Sequence, residues 1–123
     1  MQALVVDDSR AMRAILTRLM IGFGFEVAEA GHGVEALAVI DAGTHPDVIL
    51  VDWNMPVMDG LSFVKHVRAR ADLRDVSLVM VTTESEQANI VRALAAGAHE
   101  YVIKPFVDEA IAEKLALLGL VAA

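Results

Sequence analysis

Val48-Ile-Leu-Val51 is a run of four apolar residues that stops abruptly at Asp52. A short, largely β-branched run bounded by turn residues reads as a strand buried on both faces. Such a strand needs cover on both sides. Asp52 stands where the strand leaves the core, at its carboxyl end, which is the edge where open α/β sheets bind ligands. Pro56 keeps the next residues out of helix, and Asp59-Gly60 begins the helix that follows.

The rest of the chain alternates strand and helix patterns around this run. Ala3-Leu-Val-Val6 ends at Asp7-Asp8. A stripe of Met12, Ile15, Leu16, Leu19 and Met20 predicts a helix from about Arg10 to Phe23, capped by Ser9 or Asp8 and closed by Gly22 and Gly24. Glu26–Ala30 is a strand carrying polar residues, which places it near a sheet edge. A second helix spans Val34–Ala42, closed by Gly43. After Gly60 a third carries Leu61, Val64 and Val67, with Lys65, Arg68 and Arg70 crowding its far end, where they suit the helix dipole. Val76–Val81 is a strand ending at Thr82-Thr83, Ser85–Ala96 a helix stopped by Gly97, Glu100–Ile103 a strand ending at Lys104-Pro105, and Asp108–Leu118 the last helix. Helices of this length serve as right-handed crossovers between parallel strands. A three-layer α/β sandwich follows. With 123 residues the chain suffices for one domain, 1–123, and not for two.

Composition narrows the function classes. A hydrophobic share of 56% rules out disorder. No apolar run is long enough to span a bilayer, and Met1-Gln2 lacks the basic flank of a secretory signal. With no cysteine, disulfides and thiolate metal sites are excluded, and a cytoplasmic location without membrane contact is expected. A net charge of −7 repels phosphate backbones, so nucleic acid is not an expected partner.

Four strands end in residues capable of chemistry: Asp7-Asp8, Asp52, Thr82 and Lys104. A parallel sheet brings all four ends to one edge. Three carboxylates in one pocket repel one another and invite a divalent cation, and oxygen-only ligands favour Mg²⁺ or a similar hard ion such as Mn²⁺. Lys104 adds a positive charge and Thr82 a hydroxyl donor, which is what a transferring phosphoryl group needs around its oxygens. Asp52 then reads as a nucleophile that forms an aspartyl phosphate. Taken singly, Asp8 reads as a helix cap, Asp52 as a turn residue, Thr82 as an ordinary strand residue and Lys104 as a solvated loop lysine. Their joint placement on one edge favours the chemical reading.

With these residues in view, the chain resembles the receiver domain of two-component response regulators, most closely the chemotaxis-type single-domain members. The resemblance spans nearly the whole chain. It rests on Val5-Val-Asp-Asp-Ser-Arg-Ala-Met-Arg13, Asp52-Trp-Asn-Met-Pro-Val-Met-Asp-Gly60, Thr82 and Tyr101-Val-Ile-Lys-Pro-Phe106. It implies a flavodoxin-like sheet order 2-1-3-4-5, and Asp52 as phosphoacceptor. It also implies Mg²⁺ held by Asp8, Asp52 and the Asn54 carbonyl, with Asp7 reaching it through water. Thr82 and Lys104 would contact the phosphoryl group, and Tyr101 matches the aromatic that changes rotamer on activation. Asn54 and Glu84 match site-flanking residues of the chemotaxis type. Thr83 departs from the usual Ala or Gly and is expected to narrow access to Asp52. The implied partners are a histidine kinase or phosphotransfer protein and a downstream target, with the chain itself a monomer.

Two other readings share this chemistry. A phosphate sink lacks an output partner. An aspartyl-phosphate phosphatase or phosphotransferase commonly places a second carboxylate two residues after the nucleophile, where Asn54 cannot move a proton. The switch reading therefore leads over the enzyme, with no enzymatic activity beyond phosphoryl transfer to and from Asp52, while the sequence does not separate it from the phosphate sink. Its output is expected through Thr82, Tyr101 and the face made by the fourth helix, fifth strand and last helix. The Lys104-Pro105 bond is expected to be cis, where X-Pro is the common site. His32, His45, His66 and His99 read as surface or helix-end residues, Gly31-His-Gly33 as a turn, and Met55 and Met58 as partly exposed beside the site.

Overall fold

The apolar quartet lies at the centre of the molecule as β3 (Val48–Val51), fully buried along its length. The computed structural model describes residues 1–122; Ala123, the end of the expected 1–123 unit, lies outside them. In chain order the other elements are β1 (Gln2–Val6), α1 (Arg10–Gly22), β2 (Glu26–Ala30), α2 (Gly33–Asp41), α3 (Gly60–Ala69), a 3-10 turn (Ala71–Leu73), β4 (Ser77–Thr82), α4 (Gln87–Ala96), β5 (Glu100–Ile103) and α5 (Asp108–Leu117). The sheet order is β2-β1-β3-β4-β5 and every pair is parallel, as the resemblance implied.

Strand alternation sorts the core into two layers. Leu4, Val6, Ile49, Val51, Leu78 and Met80 point to the side covered by α2, α3 and α4, where Ala36, Ile40, Phe63, Val64, Val67 and Ala93 meet them. Ala3, Val5, Val48, Leu50, Val79, Val81 and Val102 point to the side covered by α1 and α5, against Leu16, Met20, Ile111 and Leu115. Burial on both faces explains why the central strands carry no polar alternation. Three helices start on side-chain caps: Ser9 accepts from the Met12 N–H, His32 from the Glu35 N–H and Asp59 from the Ser62 N–H.

Several local expectations shift. α4 begins at Gln87 rather than Ser85 because Glu84 is tied outside the helix. Its N–H donates to Thr82 Oγ1 and its carbonyl accepts from the Tyr101 hydroxyl. β4 runs from Ser77 through Thr82 rather than from Val76 to Val81, and α2 begins one residue early, at Gly33. Ile15, on the apolar stripe of α1, is 49% exposed, because only Leu16 and Met20 of that helix are buried against the sheet. Met55, expected to be partly exposed beside the site, turns inward and joins the core on the α3 side.

Arg68 does more than suit a helix dipole. Its guanidinium donates to the carbonyls of Gly97 at 2.9 Å and Val76 at 2.7 Å, fastening the end of α3 to the start of β4 and the end of α4. Its Nη2 also lies 3.1 Å from His99 Nδ1, which accepts from the Leu78 N–H at 3.1 Å. Arginine only donates, so Nδ1 is an acceptor and the ring proton belongs on Nε2. The imidazole thus stands in for a backbone carbonyl at the start of the β4–β5 ladder. Burial and then the Arg68 charge lower the His99 pKa from its ordinary value, against a weaker opposing pull from Glu100. The neutral ring is the form the fold favours. Its contribution to stability is present above the unfolded-state pKa and is lost as pH falls through the folded one. Denaturant melts should therefore show wild type losing more stability on acidification below about pH 6.5 than His99→Asn, whose Oδ1 replaces the acceptor without titrating. Equal losses in the two proteins would refute the assignment.

Candidate functional site

The register carries four strand ends to one edge. Val6 pairs with Val51, Val51 with Met80, and Thr82 with Ile103. Backbone bonds extend the order one residue further: the Asp52 N–H donates to Val6 O at 3.0 Å and the Lys104 N–H to Thr82 O at 2.8 Å. Asp7, Asp8, Asp52, Thr82 and Lys104 are therefore delivered together, as the sequence predicts. The Lys104-Pro105 bond is cis, also as predicted.

Oxygens of Asp7, Asp8 and Asp52 all lie within 4.8 Å of one another. Asp7 is 1% exposed, Asp52 7% and Thr82 0%. Burial at that level demands partners. Lys104 Nζ lies 2.7 Å from Asp7 Oδ2 and 3.0 Å from Asp52 Oδ2. The Ser9 N–H donates to Asp7 Oδ1 at 2.9 Å, and the Asn54 N–H to Asp52 Oδ1 at 3.2 Å. Burial alone pulls the Lys104 ammonium down. Its hydrogen bonds to Asp7 and Asp52, with their charges, outweigh that and leave its pKa raised. Asp8 is exposed and opens onto a cleft of about 460 Å³ that is also lined by Trp53, Asn54, Met55, Pro56 and Asp59. The all-oxygen donor set, partly buried and partly open to solvent, suits a hard divalent cation that keeps some of its water.

The loop from β3 to α3 shapes this cleft. The Gly60 N–H donates to Trp53 O at 2.8 Å, and a Cβ on Gly60 would collide with the Asp52 carbonyl. Only glycine allows the helix start to close so tightly on the strand end. Val57 has φ 69° and is 80% exposed, a left-handed conformation that β-branched residues rarely adopt. No sequence signal marked it.

Thr82 Oγ1 accepts from the Glu84 N–H at 3.3 Å, and the Glu84 carbonyl accepts from the Tyr101 hydroxyl at 2.7 Å. Tyr101 packs on the α4 side of the sheet, so Thr82, Glu84 and Tyr101 form one chain of contacts leading away from Asp52. Thr83, next to the buried Thr82, is exposed. Arg13, to which sequence reading gave no role of its own, donates to the Asp7 carbonyl at 2.8 Å.

Comparisons with known proteins agree with this geometry. Residues 3–116 match the family model described as the response regulator receiver domain. The chemotaxis protein CheY1 of Helicobacter pylori is 44% identical over 94% of both chains. A CheY homolog of Campylobacter jejuni is 44% identical over 94% of this chain and 89% of its own. Among solved structures, chemotaxis protein CheY4 of Vibrio cholerae superposes with a TM-score of 0.88 at 36% identity, covering 95% of this chain and 97% of that one. The receiver domain of a sensor histidine kinase from Pseudomonas aeruginosa, with a magnesium ion coordinated in its active-site cleft, gives a TM-score of 0.82 at 27% identity, over 96% and 97% of the two chains.

Tyr101 is the one tyrosine of the chain, so its titration can be read directly. Burial first, then the charges of Glu84 and Asp52, push its phenol up to about 12. The neutral phenol is favoured by the fold, and that contribution is lost as pH rises from the unfolded pKa, near 10, through about 12. Phenolate absorbance should show this raised midpoint in the native protein and return to an ordinary one in denaturant. An ordinary midpoint in the folded chain would contradict the placement of the ring.

Proposed function

We infer what this chain does from the fact that it belongs to the response regulator receiver domain family: it is a phosphorylation-activated switch of two-component signalling. Its relatives place it with the chemotaxis-type regulators. Asp52 is the phosphoacceptor in this reading. The observation that carries it is a carboxylate 7% exposed at the end of the central strand, 3.0 Å from an ammonium and clustered with two further carboxylates.

The donor is a phosphohistidine on a kinase or phosphotransfer protein. The P–N bond of the donor breaks as a P–O bond forms to an Asp52 carboxylate oxygen, and the imidazole leaves. Attack of water on phosphorus later releases inorganic phosphate and restores Asp52. Lys104, already against Asp52, stays charged at neutral pH and follows the oxygen charge that moves onto the phosphoryl group. Asp8, Asp52 and the Asn54 carbonyl would hold Mg²⁺, with Asp7 behind them. The bound ion supplies positive charge against the phosphoryl oxygens. Asn54, two residues after Asp52, is an amide that cannot serve as general acid or base, which weighs against turnover of outside substrates.

Output follows the contact chain from Thr82. When its hydroxyl turns to a phosphoryl oxygen, the Glu84 N–H loses its acceptor, and the Glu84 carbonyl that holds Tyr101 shifts with it. The adjoining face carries the exposed apolar residues Val91, Leu94, Ile103 and Val107 from α4, β5 and the start of α5. A target that prefers the shifted arrangement gains affinity from phosphorylation through that difference alone.

Incubation with a small acyl phosphate and Mg²⁺ should add a single phosphoryl group by intact mass, and Asp52→Asn should remain unmodified. An adduct of equal yield in that variant would place the acceptor elsewhere.

A further inference from the structure

The Asp7 carbonyl lies one residue past the last rung of β1. Val6 is the final paired residue on both sides, and the Asp7 N–H still reaches Ala30 O at 3.1 Å. Beyond that no strand among the described residues donates to the Asp7 carbonyl. Asp7 is buried, and a buried acceptor left without a donor is destabilising. The donor arrives from α1: Arg13 Nη1 lies 2.8 Å from Asp7 O. The Nε of the same guanidinium meets Glu29 Oε1 on β2 at 3.3 Å, which fixes its plane from the other side.

That carbonyl belongs to the peptide unit joining Asp7 to Asp8, and the unit is planar. Holding its oxygen holds the plane, and so the direction in which the Asp8 side chain leaves the backbone. Asp8 depends on this more than its neighbours do. Both carboxylate oxygens of Asp7 are anchored, by the Ser9 N–H and Lys104, and both of Asp52, by the Asn54 N–H and Lys104. The exposed Asp8 carboxylate makes no hydrogen bond among the described residues, yet its oxygen lies with the other two. We propose that Arg13 is the positioning residue for Asp8, holding the Asp7–Asp8 peptide so that the third carboxylate faces the cation site. This inference rests on the reading of the cluster as a Mg²⁺ site.

The test is a Mg²⁺ titration of the full chain followed by the fluorescence of Trp53, the one tryptophan, which lines the same cleft. Arg13→Ala should weaken apparent Mg²⁺ affinity roughly tenfold, the scale seen when partners behind metal ligands are lost. Arg13→Met, which keeps the stem against the helix, should match it if the smaller residue unfolds the chain. Arg13→Lys retains one donor and should recover most of the affinity. Glu29→Gln keeps the Arg13–Asp7 bond and should stay close to wild type. Arg70→Ala breaks ion pairs to Asp41 and Asp72 at the far end of α3; it should lower the melting temperature without moving Mg²⁺ affinity. Unchanged affinity in both Arg13→Ala and Arg13→Met would overturn the proposal. So would a loss in Glu29→Gln equal to that in Arg13→Met, since the ion pair and not the carbonyl bond would then be responsible. An absent Mg²⁺ response in wild type would instead overturn the metal reading itself, and this inference with it.

Discussion

The ammonium of Lys104 between the carboxylates of Asp7 and Asp52 is the interaction on which the rest of the site depends. It joins residues 97 and 52 positions apart in the chain, at 2.7 Å and 3.0 Å. Both aspartates are buried, and a buried carboxylate without a partner is costly, so the ammonium offsets that cost. The contact is possible only because a parallel sheet sends every strand end to the same edge and because β5 stops at Ile103, leaving Lys104 free to reach back over β4. Fold and chemistry are therefore one constraint here. The crossovers that make the strands parallel also assemble the charges.

The same crowding makes the site responsive. Three carboxylates and one ammonium leave an excess of negative charge, which a divalent cation and the demands of a phosphoryl group can rearrange. Thr82 is buried and its Oγ1 accepts from the Glu84 N–H; in the proposed switch a change at Asp52 would pass to the loop before α4 through that hydroxyl. Tyr101 holds the next link by a single hydrogen bond to the Glu84 carbonyl. Hydrogen bonds of this kind are worth about 1 kcal/mol net, small enough for a phosphoryl group or a bound target to tip the balance.

Much of this was legible in the chain because burial on both faces leaves a plain mark. Val48–Val51 read as a central strand, and the polar residues that end each run read as the site. The order of the strands needed the family resemblance, since alternation alone predicts parallel pairing without saying which neighbours pair. The misses have a common cause. α4 starting at Gln87, Met55 turning inward, Ile15 left outside and the clamps made by Arg68, His99 and Arg13 all depend on partners distant in sequence. A periodic stripe predicts that a helix has a buried face but not how wide that face is. An arginine or histidine shows nothing in sequence of the carbonyl or N–H group it will meet.

In the proposed switch the paired charges serve a cation and a phosphoryl group, and Lys104 holds the carboxylates in the meantime. Thermal or denaturant melts of Lys104→Met with and without Mg²⁺ test it most directly. Without Mg²⁺ the variant should lose about 3 kcal/mol, the scale for removing one partner of a buried charge cluster. Mg²⁺ should then stabilise the variant more than it stabilises wild type, because the ion replaces the missing positive charge. A variant as stable as wild type in the absence of Mg²⁺, or one whose response to Mg²⁺ is no larger, would contradict the account.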